Sequence, residues 1–396
     1  MESVRRPVEA CDSLQSFLLL HSLGGGTGSG LGSYLLGALA DEYPDVFRFT
    51  ASVFPAEDDD VVTSPYNSAL SAAQLIEHAD AVLPMDNGAL GDACAAIAAR
   101  AVKAAQSGAR PRGGADGGKG SKPFDAMNGL AANALLHLTS SMRFEGAPAQ
   151  TGVAWRCLDD GAEHALTRCH SLLATCRAGP LNVDLNEITM NLVPFPRMHF
   201  LLSSMAPLIP PVDVAAAGSG RGGGGPVPSR TADALFADAF SREAQLLRAD
   251  PRRSTYLAAA LLLRGPVTLS DIHRNAARLS SSLRMAPWNT EGFKIGLCAT
   301  PPPGVPASLF VLSNSSCVGA TLGGIAARYG RLRARSFYLH HYAEYMEVAD
   351  MDAAAEAVTA LAAEYGALEG PDGGAATAPP PERLAPLGVG LSAPRR

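Results

Sequence analysis

Lysine is scarce in this chain. It stands only at positions 103, 119, 122 and 294, and arginine carries the rest of the positive charge. With the abundance of Ala, Gly and Pro, this marks a GC-rich coding sequence, so alanine-rich stretches are weak evidence for helix. Positive charge is also in deficit: the formal net charge of −6 leaves no basic footprint for nucleic acid. Apolar runs are short. A representative long one, 256–263, falls far below the roughly 20 residues that a membrane span needs, and residues 1–6 carry no apolar core of the signal-peptide kind. The seven cysteines include no C-x-x-C pair, which leaves neither a zinc ribbon nor a disulfide framework. We expect a reduced, cytoplasmic setting with no nucleic-acid, membrane or metal-site partner. What 396 residues with 47% hydrophobic and 18% charged side chains do allow is a folded chain of two or three domains.

The chain is organised around Ser22-Leu23-Gly24-Gly25-Gly26-Thr27-Gly28-Ser29-Gly30. An apolar run, Leu18-Leu19-Leu20, leads into it, and an apolar-periodic segment from Ser33 follows, so the pattern predicts strand, glycine turn and helix start. Such a turn suits an anion, because glycines allow close backbone approach and the first helical N–H groups lack intrahelical acceptors. The helix dipole contributes about 0.3–1 kcal/mol and each N–H bond to an ionised oxygen about 1.5–3, so the backbone amides would do most of the holding.

Three familiar loops are excluded by what is missing. No third glycine completes G-x-G-x-x-G, since Ser29 or Ser33 stands in its place; no lysine follows Gly30; and Thr27 and Leu31 flank Ser29 where a nucleophile elbow needs glycines. A plain turn without a ligand is the competing reading.

Downstream, 47–54 alternates as a strand, 57–60 is acidic, and Ser64-Pro65 opens a helix with Ser64 as its cap. A strand at 80–85 ends at Asp86-Asn87-Gly88, and a helix follows over 89–105. Alternating strands and helices predict a parallel, doubly wound α/β sheet, and Asn87 falls just past a strand's carboxyl end, where such sheets bind ligands. Residues 106–122 are low-complexity. A long helix of few charges is expected over 124–144, with Phe124 and Asn128 on one face able to stack on and hydrogen-bond a base; a core Phe and a capping Asn are the alternative.

Residues 147–178 show no period; their three cysteines, Cys157, Cys169 and Cys176, lack zinc spacing. A helix over 182–193 puts Asp184 and Glu187 on one face, where paired carboxylates can hold Mg²⁺ waters or polarise an attacking water, or simply form a solvated face. Strands at 198–203, 255–263, 292–299 and 308–312, with helices at 231–247 and 270–279, predict a second domain with a mixed sheet. Two long helices follow at 320–346 and 351–368. His340 and His341 are adjacent on a helix and read as structural.

Several motifs in order resemble the tubulin family over nearly the whole chain: the glycine turn, Ser64-Pro65-Tyr66-Asn67-Ser68, Met85-Asp86-Asn87, Arg143-Phe144-Glu145-Gly146, Asn182-Val183-Asp184-Leu185-Asn186-Glu187, Val193-Pro194-Phe195-Pro196-Arg197 and Trp288-Asn289. Asp60-Val61-Val62-Thr63, Lys122-Pro123-Phe124-Asp125 and Leu246-Leu247-Arg248-Ala249-Asp250-Pro251 resemble its epsilon branch, as does the lack of a long acidic tail.

The resemblance implies a partial GTP-binding domain (1–105), a low-complexity loop (106–123), a core helix (124–146), an atypical insertion (147–178), an intermediate domain (179–318), C-terminal helices (319–369) and a disordered tail (370–396). It implies GTP with Mg²⁺ as cofactors. Ser22, Gly24, Gly25, Gly26, Thr27, Gly28, Ser29 and Gly30 would lie around the phosphates, Asn87 and Asn128 would contact guanine, and Phe124 would stack on it. Glu187, with Asp184 beside it, would reach the nucleotide of a neighbouring subunit, making hydrolysis depend on longitudinal assembly. The implied partners are other tubulin-family subunits in the cytoskeleton, at centrioles and basal bodies.

Two features depart from the family pattern besides Ser64, which replaces a ribose-binding glutamate. Met1 aligns inside the family's third helix, so its first strands and their nucleotide loops have no counterpart, and 147–178 has none in the family. A late start codon and a translated intron are the expected origins. A prokaryotic-type filament GTPase would lack the two C-terminal helices, a small-molecule enzyme would need His21 or Ser22 as base or nucleophile, and a non-hydrolysing interaction module would need neither.

Overall fold

The computed structural model describes residues 1–56, 61–106, 124–144, 184–208, 231–250, 254–286, 288–289, 292–302 and 305–369. The acidic loop at 57–60, the low-complexity stretch beyond residue 106, the insertion at 147–178, residues 212–230 and the tail at 370–396 lie outside them.

The alternating segments form three strands, β1 (Ser16–Ser22), β2 (Phe47–Phe54) and β3 (Ala81–Asp86), parallel and in the order β1-β2-β3. Leu18 lies opposite Phe49, and Ala51 opposite Leu83. Every residue of β3 is buried, as expected for a parallel strand covered on both faces. Helix α1 (Glu2–Glu9) precedes the sheet; α2 (Gly32–Glu42) and α3 (Ser64–His78) connect the strands and α4 (Asn87–Gln106) leaves the last. Helix α3 starts at Ser64 itself, one residue earlier than its expected role as cap would place it, with Thr63 in the flanking position.

Helix α5 (Asp125–Leu138) buries Leu130, Ala134 and Leu138 between α4 and the second sheet, which accounts for its low charge. That sheet is mixed, as expected. Its strands β4 (Leu201–Ala206), β5 (Tyr256–Arg264), β6 (Phe293–Cys298) and β7 (Ser308–Ser315) run in the order β4-β7-β5-β6, with only β5 and β6 parallel. The sheets meet where the Val82 amide donates to the His199 carbonyl at 2.9 Å. Around the second sheet lie α6 (Ser140–Arg143), α7 (Leu185–Leu192), α8 (Ala232–Ala239) and α9 (Leu269–Ser282). At the end of the described chain, α10 (Val318–Arg333), α11 (His340–Ala343) and α12 (Val348–Ala367) follow; α10 and α12 pack on each other and on α3 through Leu322, Ile325, Val358, Leu361, Ala69 and Ala72.

Three expected helices end early. The one begun at 124 stops at Leu138, because the Thr139 hydroxyl bonds back to the Leu135 carbonyl at 2.9 Å and the Ser140 hydroxyl to that of His137 at 2.7 Å, competing with the helical ladder. The one begun at 231 stops at Ala239, since Leu246 is drawn out to bridge the two sheets, donating to Ser203 and accepting from Asp86, both at 2.9 Å. The one begun at 320 stops at Arg333, and the chain turns through Ser336 and Tyr338 at φ 49° and 59°. That left-handed region costs a side-chain-bearing residue roughly 1–2 kcal/mol.

Candidate nucleotide-binding site

The glycine turn follows the carboxyl end of β1 and opens directly into a π-helical turn, Thr27–Leu31, that continues as α2. Two kinds of glycine occupy it. A Cβ on Gly28 would fall 2.5 Å from the Ser22 carbonyl oxygen and 2.8 Å from its nitrogen, so only glycine lets the turn close on the strand. A Cβ on Gly25, Gly26 or Gly30 would meet nothing within 4 Å. That open face lies beside a helix N-terminus, where backbone amides have the chemistry to meet an anion.

Neighbouring side chains fix the turn rather than react. The His21 Nδ1–H donates to the Gly28 carbonyl at 3.0 Å, which leaves Nε2 to accept from the Ser52 hydroxyl at 2.9 Å. Burial pushes its pKa below the ordinary histidine value, against the opposing effect of the Gly28 bond. With both ring nitrogens engaged, His21 brings β1, β2 and the turn together and does not serve as a free base. Ser29 is buried, its hydroxyl spent on the Gly25 carbonyl at 2.7 Å. The Asn67 side-chain amide donates to the Gly24 carbonyl at 2.8 Å.

Because β1, β2 and β3 are parallel, the end of β3 lies on the same side of the sheet as the glycine turn. There the buried Asp86 carboxylate accepts the Gly88 amide at 3.0 Å and sits 3.9 Å from the Arg248 guanidinium, which also bonds Asp92. This Asx turn starts α4 and leaves Asn87 exposed at its first position. Helix α4 packs on α5, whose first residues put Phe124 at the cap, 54% exposed, and Asn128 exposed one turn on. The exposed Phe124 ring and the exposed Asn87 and Asn128 amides have the chemistry to stack on and hydrogen-bond a base.

Asp184 and Glu187 belong to a different neighbourhood. Asp184 is the exposed cap residue of α7, which packs against β5, and the Glu187 carboxylate is ion-paired with Lys294 of β6. Lys294 is nearly buried, its side chain 10% exposed, whereas Glu187 is 44% exposed and so reaches the surface. The residues that sequence reasoning missed are Asn67 and Asp86, quoted only within motifs, and Arg248 and Lys294, which act across long chain separations. The scarcity of lysine was the one available signal for Lys294.

Comparison with known proteins gives the family. A model of the GTPase domain of the tubulin/FtsZ family matches residues 1–95, and one of the tubulin C-terminal domain matches residues 196–326. The chain belongs to the tubulin family and its ligand class is GTP. Within that family it is 43% identical over 379 residues to the human tubulin epsilon chain, covering 93% of this chain and 70% of the relative. The mouse tubulin epsilon chain is 42% identical with the same coverage, and the alpha-3 chain of Saccharomyces cerevisiae 31% identical over 92% of this chain and 70% of its own length.

Proposed function

We propose that this chain is an epsilon-type tubulin subunit of the cytoskeleton, acting with other tubulin-family subunits in the microtubules of centrioles and basal bodies. The turn Gly24 to Gly30 would hold the phosphates of GTP, through the amides that precede Ser29, and Phe124, Asn87 and Asn128 would hold its base. The observation that carries this reading is the open cradle over Gly25, Gly26 and Gly30, beside a helix start and at the ligand-binding end of a parallel sheet. Mg²⁺ enters with the phosphates; it keeps several waters and needs no dedicated protein cage. Ser22, Thr27 and Ser29 shape the turn, with Ser29 acting through its bonds to loop carbonyls.

Hydrolysis belongs to the assembled state. Glu187, with Asp184 at the start of the same helix, serves the nucleotide of the next subunit, where its carboxylate would polarise an attacking water. Its surface exposure and its engagement with the second sheet support that division of labour.

The test is titration of the chain with a fluorescent GTP analogue, with Mg²⁺ and with EDTA. Wild-type protein should bind, more tightly with Mg²⁺. Gly26→Ala should bind about tenfold more weakly with an unchanged unfolding midpoint, because the methyl enters the cradle and meets no protein atom. Equal affinity of the two proteins would move the phosphates elsewhere. Phosphate release that appears only on assembly with αβ-tubulin and is lost in Glu187→Ala would support the shared site; release by the isolated chain would oppose it.

A further inference from the structure

We infer that Asn67 and Tyr342 are positioning residues of the phosphate turn: together they clamp the Gly24–Gly25 peptide and tie it to the connector between the two long C-terminal helices. The inference rests on the reading of that turn as a phosphate cradle.

The polarity of the contacts carries the argument. The Gly24 carbonyl can only accept, so the bond from Asn67 at 2.8 Å fixes the amide's nitrogen end on the turn and points its oxygen the other way. That oxygen accepts the Tyr342 hydroxyl at 2.6 Å. A flip of the Asn67 amide would set its oxygen against the Gly24 carbonyl and lose that bond, and it would force the Tyr342 hydroxyl to turn from donor to acceptor. Its consequence lies in the next bond of the backbone. In a planar trans peptide the C=O and N–H point in opposite directions, so holding the Gly24 carbonyl toward α3 turns the Gly25 N–H away from it. A peptide between two glycines has the least steric resistance to rotation, and a Cβ on Gly25 would meet only open space. The Asn67 bond supplies the restraint that the glycines lack, and so presents a cradle amide in one orientation before any ligand arrives.

Tyr342 extends the clamp outward. It lies in α11, just past the left-handed residues Ser336 and Tyr338. The residue beside Asn67, Tyr66, holds the same connector: its hydroxyl donates to the Phe337 carbonyl at 2.8 Å, and its ring packs on those of Tyr342 and Tyr329 with centroids 5.2 and 5.5 Å apart. The first turn of α3 thus grips the glycine turn with one side-chain bond and the strained connector with two. The conformation of the connector and that of the phosphate turn are held by the same two residues.

The experiment compares wild type, Tyr342→Phe, Asn67→Ala and the double variant by affinity for the fluorescent GTP analogue and by hydrogen–deuterium exchange of residues 24–31 without nucleotide. Tyr342→Phe keeps the ring packing and removes the hydroxyl, with its bonds to Asn67 and Thr63. We expect it to weaken binding about three- to tenfold and to speed exchange in the turn, at a nearly unchanged unfolding midpoint. Asn67→Ala should weaken binding further, and the double variant should be no weaker than Asn67→Ala, since Tyr342 acts through Asn67; a merely structural role would give additive losses. Wild-type affinity and wild-type exchange in Tyr342→Phe, or additive losses, overturn the inference. If wild type binds no GTP, the nucleotide reading fails, and exchange in the turn still decides whether the clamp exists. Should Asn67→Ala fail to fold, Tyr342→Phe alone carries the test.

Discussion

Acidification should destabilise this protein through one half-buried imidazole. His137, on the last turn of α5, stacks on Phe310 with ring centroids 6.0 Å apart and lies 3.5 Å from the Ser308 hydroxyl. Burial first, then the nearby guanidinium groups of Arg264 and Arg143, push its pKa from 6.5 down to about 4. The folded protein therefore keeps His137 neutral where the unfolded chain takes up a proton. Stability is full above about pH 6.5 and is lost as the pH falls, until protonation of the folded form begins near pH 4. At about 1.4 kcal/mol for each pH unit between the two values, the loss reaches about 3 kcal/mol. That is a large share of the roughly 5–15 kcal/mol that stabilises a typical domain. The assay is urea denaturation from pH 7.5 to 4.5 of wild type beside His137→Phe, which keeps a flat ring against Phe310 and cannot titrate. Other histidines, including the half-buried His21 and the buried His199, contribute equally to both proteins and cancel in the difference. Wild type should lose about 3 kcal/mol more than the variant over that range; parallel curves would refute the assignment.

Other outcomes follow from close approaches. Gly319→Ala should cost about 1–3 kcal/mol, because a Cβ there lies 2.9 Å from the Tyr365 Cβ and 3.1 Å from the Ala362 carbonyl at the α10–α12 contact. Gly323→Ala on the same helix meets nothing within 4 Å and should gain up to about 1 kcal/mol; thermal unfolding of both reads the contrast. Gly28→Ala should cost about 1–3 kcal/mol and also weaken GTP binding, since the Ser22 backbone it strikes cannot yield. A double-mutant cycle of Glu187→Ala and Lys294→Ala in urea denaturation should give a coupling of about 1 kcal/mol, somewhat more than a fully exposed pair because Lys294 is nearly buried; zero coupling would remove the ion pair.

The parts legible in the sequence were those whose cause is local. Alternation announced β2, the glycine turn announced the strand-to-helix junction, and the low charge of 124–138 announced a helix enclosed on most sides. Phe124 and Asn128 share a face simply because they are four residues apart. The stops were not legible. The helix from Val318 ends at Arg333 without a glycine or proline, because the connector is pinned by Tyr66 rather than by its own composition. The helix from Ala232 ends because Leu246 is needed between two sheets, and nothing near Ala239 records that demand. In the site, Asn67 was hidden for a different reason: it works on a backbone carbonyl, which has no letter in the sequence. Lys294 stands 107 residues from Glu187, a pairing that only the packing of α7 against the second sheet creates.

Among the described residues, the first sheet has a strand neighbour beyond β3 and none beyond β1. Beyond β3, the Val82–His199 bond passes its hydrogen-bonding capacity to the second sheet. Beyond β1, among the described residues, there is no further strand, and Leu20 in its middle is 58% exposed. An extended backbone with one free row of amides and carbonyls is a template, and it can be extended in a single direction only. This places the protein's solubility and the shape of its phosphate turn under one control, because β1 both borders the open side and delivers Ser22 to the turn. Whatever strand docks there, from this polypeptide or from another, would stiffen the platform on which the glycines rest. Left bare, the same edge is where chains would adhere to one another, so concentration-dependent association should begin at β1 and yield first to a charge placed at Leu20.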